Sequence, residues 1–161
     1  MPTPETRLAQ LGIDLPAPVP GRPSVVPAVE IGGLLFVSSR GPAPGPDGRR
    51  PSGKVGRELD PAEARAAARL VALNLLATIR ESLGSLDRVA RVVRVTGMLN
   101  VAPGFTAMAD VLDGASDLFV EVFGPEAGMH ARSVIGAAEL PNDYPVALDV
   151  IVAVRDAGSP G

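Results

Sequence analysis

Apolar residues along this chain recur at two different periods, and the switches between them outline the elements. Ala64, Ala68, Val71, Leu75 and Ile79 fall three or four apart, which is one face of an α-helix. Asp60-Pro61-Ala62-Glu63 supplies an N-cap, a proline at the first helical position and a glutamate in the capping-box place. Gly84 is a fitting stop, and the small Ala67 and Ala68 let this helix sit close to a sheet. Val25 to Ile31 and Leu34 to Ser39 read as strands joined at Gly32-Gly33, a two-residue hairpin turn that needs positive φ. Val89 to Val101 is a long strand with Val92, Val93, Val95, Met98 and Leu99 as buried candidates. Phe105 to Leu112 and Ala115 to Phe123 read as two helical pieces divided at Gly114. Two strands close the pattern, about Ala131 to Glu139 and Val146 to Arg155, around a turn at Leu140-Pro-Asn-Asp143.

The order β-β-α-β-α-β-β makes an α+β sandwich, a sheet with two helices on one face. Residues 1–23 are a proline-rich lead. Leu8, Leu11 and Ile13 there suit one helical turn before Pro16, Pro18, Pro20 and Pro23 force an extended path. Residues 24–156 form a single domain and 157–161 a loose tail. The second sheet face is left bare and aliphatic, which predicts self-association.

Composition narrows the chemistry. Hydrophobic residues make up 46% of the chain and aromatics only 3%, so the core is aliphatic and platforms for stacking bases are scarce. The net charge is −3 and Arg49-Arg50 is the one adjacent basic pair, which argues against general attraction to nucleic acid. Without cysteine there are no disulfides, thiolate nucleophiles or thiolate metal sites, and a single histidine rules out a multi-histidine metal site within one subunit. Gly41-Pro-Ala-Pro-Gly45 and Gly53-Lys-Val-Gly56 both lack the Gly-Lys-Ser/Thr of a phosphate loop, so no cofactor is implied. No Gly-x-Ser-x-Gly elbow supports a serine hydrolase. The start of the chain does not read as a signal peptide and no stretch reaches membrane-spanning length; a cytoplasmic protein is expected.

Candidate chemistry gathers at Gly128-Met-His-Ala-Arg-Ser133, which holds the lone histidine. Arg132 opens a buried strand, a costly place for a guanidinium unless an anion meets it. That anion is either a ligand or a structural partner such as Glu121, Glu126 or Asp149. His130 has an ordinary pKa near neutrality and suits acid–base work, or else caps a backbone group. Ser38 bonds a ligand or its own strand end. Arg40 adds positive charge at a site's mouth or sits on the surface. Asn100 ends the long strand and either donates an amide to a neighbouring subunit or forms a turn. Tyr144 is the only tyrosine.

Several of these pieces together resemble the Rid/YjgF family, the reactive-intermediate deaminases often labelled L-PSP endoribonucleases. Val29-Glu-Ile-Gly-Gly-Leu-Leu-Phe-Val-Ser-Ser39 resembles its opening hairpin, and Ala131-Arg-Ser133 with Leu140-Pro141 its closing signature. The similarity runs from about Val25 to Val154. Val55-Gly-Arg57, Gly114-Ala-Ser-Asp-Leu118 and His130-Ala-Arg-Ser133 look like a longer branch of that family. The resemblance implies a chorismate-mutase-like fold of the bacillus type and a homotrimer around a central β-barrel, with clefts between subunits. It implies small ligands in which a carboxylate adjoins an imine, enamine or carbonyl, hydrolysed to a 2-keto acid and ammonia. Arg132 would hold the carboxylate, helped by backbone N–H groups near Ser39 and Val134; His130 would serve catalysis. Ser38, Ser39, Arg40, Asn100, Ser133 and Tyr144 would complete the binding surface. The chain departs from the pattern at three places. Val25 stands where the deaminases carry a tyrosine, Ala147 where they carry a water-positioning glutamate, and Ser39 where they carry a glycine. Asp149, two residues on, shares the face of Ala147. The carboxylate anchor is kept while the hydrolytic positions differ.

Overall fold

The first hairpin is set by two glycines. β1 (Ala28–Ile31) and β2 (Leu34–Arg40) run antiparallel, and Gly32 and Gly33 between them take φ of 60° and 74°. A side chain at either position would resist that turn. These coordinates come from a computed structural model that describes residues 1–155, so the expected tail at 157–161 lies outside the described residues. β1 begins three residues later than the expected strand from Val25. Pro23 and Pro27 offer no N–H to a ladder, and Arg22 and Val25 instead bond each other across a tight turn, N to O at 2.8 and 3.1 Å.

α2 (Pro61–Leu83) carries the expected caps. Asp60 accepts from the Glu63 N–H at 2.8 Å, Glu63 accepts from the Asp60 N–H at 2.9 Å, and Gly84 ends the helix at φ 81°. Its buried face is dense in alanine, with Ala64, Ala67, Ala68 and Ala72 all fully buried. β3 (Val89–Asn100) follows, and then α3 (Met108–Gly128), which differs from expectation. Gly114 does not divide it; the helix runs through and breaks at Gly124 (φ 83°, ψ 168°), just before Pro125. Gly114 serves packing instead: a Cβ there would lie 2.1 Å from the Arg65 carbonyl oxygen of α2. β4 (Ala131–Ala137) and β5 (Val146–Val154) complete one sheet in the order β1-β2-β5-β3-β4. β3 and β4 are parallel, linked by α3 as crossover, and the other pairs are antiparallel.

α2 and α3 cover one face of this sheet, and the core lies between, as expected for the α+β class. In the proline-rich lead, a seven-residue helix α1 (Pro4–Gln10) buries Leu8 in the same core, while Leu11 stays exposed. The other sheet face is open and carries exposed Val29, Ile31, Phe36 and Ile135. Among the described residues no helix is long and apolar enough to cross a membrane.

Candidate functional site

The structure sorts the candidate residues into three groups. The first lines a cavity of about 660 Å³ at one end of the open face: Ser38, Ser39, Arg40 and Tyr144, together with Ala147 and Asp149 of β5. An irregularity in the β2–β5 register between Val37 and Arg40 puts both serines there. The Ser38 hydroxyl donates to the Val26 carbonyl at 2.8 Å. Tyr144 lies flat on the backbone of Gly41, where a Cβ would meet its ring carbon at 2.4 Å. Val25 lines the same cavity, so it and the chain's one tyrosine share its wall. Arg40 is half-buried; its Nε donates to Thr78 Oγ1 at 3.4 Å and its Nη2 to the Val19 carbonyl at 3.3 Å. Burial lowers its pKa from the ordinary arginine value.

Thr78 and Asn74 were not singled out in the sequence. Asn74 donates to the Gly41 carbonyl at 2.9 Å and Thr78 to the Asn74 carbonyl, both from α2 and both buried. Two polar residues four apart within an otherwise apolar stretch are the signal that marks them.

The second group sits at the other edge of the sheet. Arg132 opens the edge strand β4 with its side chain turned toward α3. There Nη1 donates to Asp113 Oδ1 at 2.8 Å and to Ser116 Oγ at 3.0 Å, and Nη2 donates to the Ala109 carbonyl at 3.3 Å. The ionic partner is therefore Asp113 rather than Glu121, Glu126 or Asp149; Glu121 pairs with Arg69. His130 extends this network. Its Nδ1 lies 2.7 Å from the Gly128 carbonyl, which can only accept, so Nδ1 carries the proton. Nε2, 3.0 Å from Ser116 Oγ, is left to accept from that hydroxyl. The bonds run Arg132 to Ser116 to His130 to Gly128. Burial lowers the His130 pKa; the bond to the Gly128 carbonyl opposes this in part, and the Arg132 charge adds a smaller lowering. Ser133 and Val134 follow on β4; Ser133 faces the opposite side, where its hydroxyl accepts from Arg94 at 2.7 Å.

Asn100 stands apart from both groups. It is fully buried, accepts from Lys54 Nζ at 2.6 Å and donates to Asp143 Oδ1 at 3.0 Å. Lys54 also bonds the Ala138 carbonyl and pairs with Glu139 at 3.4 Å. An amide so enclosed has nothing to offer a neighbour's cleft. It anchors the 140–144 turn, in which Asn142 and Asp143 adopt φ of 56° and 54°.

Between the first two groups lie β5 and β3. Three strand spacings of about 4.8 Å put β2 roughly 14 Å from β4. A polar row bridges part of that gap on the open face, with Asp149, Thr96 and Ser133 in register across β5, β3 and β4. Among the described residues no group of three or more histidines, aspartates or glutamates is placed to hold a metal ion.

The profile of the YjgF/chorismate mutase-like endoribonuclease family matches residues 5–152. Protein TCP17 of Trypanosoma cruzi is 40% identical over 149 residues, covering 92% of each chain. The crystal structure of Atu1372 from Agrobacterium tumefaciens, a protein of unknown function, superposes with a TM-score of 0.81 at 38% identity, over 94% of this chain and 92% of that one. A Shewanella oneidensis protein labelled an endoribonuclease superposes with a TM-score of 0.86 at 32% identity, over 94% of this chain and 99% of the other.

Proposed function

The chain belongs to the YjgF/chorismate mutase-like endoribonuclease family, and from that premise we propose that it works as a homotrimer whose inter-subunit clefts bind small carboxylates and hydrolyse 2-imino or enamine acids to 2-keto acids and ammonia. One observation carries this reading: the candidate residues lie in two clusters on sheet strands about 14 Å apart, so a second copy is needed to bring them together. The open face supports the same conclusion, since exposed Val29, Ile31, Phe36 and Ile135 form an apolar surface suited to a partner.

In the assembled cleft Arg132 takes the ligand carboxylate, the planar recognition a guanidinium does well. Ser39 and Val134 add backbone N–H donors. Water attacks the C=N carbon, and ammonia leaves as the carbonyl forms. Asp149 lines the cavity with Ala147, and this reading gives its carboxylate the task of taking the water's proton. Both ring nitrogens of His130 are already engaged, so its part is to hold Ser116 and through it Arg132.

The test is hydrolysis of 2-imino acids generated in situ by an amino-acid oxidase, with light scattering on the same preparations. Acceleration that is lost in Arg132→Ala, by a particle of three copies, is the expected result. A monomer, or acceleration indifferent to Arg132, overturns the reading. A second reading, carboxylate binding without turnover, is favoured by Ala147 standing at the water-positioning place; keto-acid affinity with no acceleration would identify it. RNA cleavage abolished by Arg132→Ala would instead support the endoribonuclease label, against which the charge of −3 speaks.

A further inference from the structure

We propose that the ligand of this cleft carries a second carboxylate on its side chain, and that Arg40, with Arg50 beside it, holds that group. The inference rests on the carboxylate-binding reading above and narrows it to dicarboxylic acids.

The charges around the cavity carry the argument. Arg22, Arg40 and Arg50 all line it, and among the described residues Asp149 is the only acidic one in its wall. Among the described residues none of the three arginines has a carboxylate within 4.0 Å, whereas Arg132 is already paired with Asp113. Arg40 is the most demanding of them. It is partly withdrawn from water, yet its partners are a hydroxyl at 3.4 Å and a carbonyl at 3.3 Å, both long and both neutral. Its Nη1 makes no hydrogen bond among the described residues. A half-buried cation held only by neutral groups gains when an anion completes it. The binding of the first carboxylate falls to Arg132, so the cavity arginines are left for another anion. The cavity, about 660 Å³, lies within the ordinary range for small-molecule sites.

Arg40 also lies on the chain next to Ser39, whose N–H is assigned to the first carboxylate. A second acidic group a few bonds further along the ligand therefore comes within reach of the Arg40 guanidinium. Thr78 and Val19 only loosely hold two of its nitrogens, so the guanidinium can turn to meet an anion in the cavity.

The test is titration calorimetry on the full chain with 2-oxoglutarate and with 2-oxopentanoate, which replaces the distal carboxylate by a methyl group. The wild type should bind 2-oxoglutarate about tenfold to a hundredfold more tightly, the usual worth of a charge-assisted pair. Arg40→Gln should cut that ratio by about tenfold or more. Arg50 is exposed and without a fold role, so Arg50→Gln guards against misfolding of the first variant and should also lower the ratio. Arg49→Gln, outside the cavity wall, should leave the ratio unchanged. Equal affinities in the wild type, a preference that survives both Arg40→Gln and Arg50→Gln, or no binding of either acid overturns the proposal. Failure of the underlying reading looks different: Arg132→Ala then binds both acids as the wild type does, while the ratio still follows Arg40.

Discussion

Replacing Gly114 with alanine tests a close approach of α2 and α3. The added Cβ would sit 2.1 Å from the Arg65 carbonyl oxygen and 2.9 Å from its carbon, where ordinary contact begins near 3.4 Å. The obstacle is main chain of a capped 23-residue helix, so no side-chain rotation relieves it. α2 and α3 must part by about 1 Å, and overpacking of this kind costs about 1–3 kcal/mol or more. The intrinsic helix preference of alanine returns about 1 kcal/mol. With a main-chain obstacle the cost lies in the upper half of that range, so a net loss of about 1–2 kcal/mol remains, which for a chain of this size lowers Tm by about 2–8 °C. Gly97→Ala is the internal control. Its Cβ would meet Leu112 Cδ1 at 2.2 Å, Cδ2 at 2.7 Å and Cγ at 3.0 Å, again too close, but the obstacle is a side chain, which shifts at lower cost than the main chain of a helix. Alanine in a strand also recovers about 0.5–1 kcal/mol relative to glycine. Gly97→Ala should therefore lose about 1 kcal/mol or less. Thermal and urea denaturation of both variants give the comparison. If Gly114→Ala is neutral or stabilising, or costs less than Gly97→Ala, the packing argument fails.

Two further predictions concern the Arg132 cluster. The lowered His130 pKa means that the unfolded chain, with its imidazole near 6.5, binds a proton before the folded one does. Stability should be fully present above that value and fall as pH drops from about 6.5 through the lower folded pKa. The single imidazole gives one NMR titration, and a midpoint at or above 6.5 would contradict it. Asp113→Asn should retain an acceptor for Arg132 while removing the negative charge that an incoming carboxylate would meet at that guanidinium, at a separation of about 5 Å. At an effective dielectric near that of water such a repulsion is about 1 kcal/mol, so keto-acid affinity should rise about fivefold. Unchanged or weaker binding in calorimetry would show that Asp113 does not compete with the ligand.

The sequence made much of this legible, and the failures have physical causes. α2 was readable because its caps are local chemistry: Asp60, Pro61, Glu63 and Gly84 act within a few residues of one another. The division at Gly114 was misleading because glycine serves both as a helix stop and as a site of close contact. The apolar spacing of Val111, Leu112, Ala115, Leu118, Phe119 and Val122 in fact continues past it. The true break, Gly124-Pro125, carried the stronger breaker pair. β1 started late because prolines withhold N–H donors, a rule readable at Pro23 and Pro27. Asp113 was not among the partners considered for Arg132, because the helix phase that aims it at β4 depends on how α3 packs. Asn100 was visible as a strand-end amide, but its burial depends on Lys54, 46 residues away.

The arrangement of Arg132 explains why sequence and structure give different weights to the same residue. In the isolated subunit its guanidinium is satisfied: one carboxylate, one hydroxyl and one carbonyl account for three bonds. Arg132 is therefore held in one orientation before any ligand arrives, which lowers the entropy cost of binding. The same pairing opposes the ligand, since Asp113 occupies part of the charge that an incoming carboxylate needs. Asp113 is substantially exposed, so its pairing with Arg132 is worth little in water and can be shared at low cost. The cavity arginines are the reverse case. Among the described residues Arg40 has no anionic partner, so it gains more from meeting one. A cleft that joins these two clusters would orient a ligand at Arg132 and gain affinity at Arg40. On that proposal, the number of carboxylates on the ligand, rather than the identity of its reacting bond, sets the affinity, and the calorimetric ratio of 2-oxoglutarate to 2-oxopentanoate reads it directly.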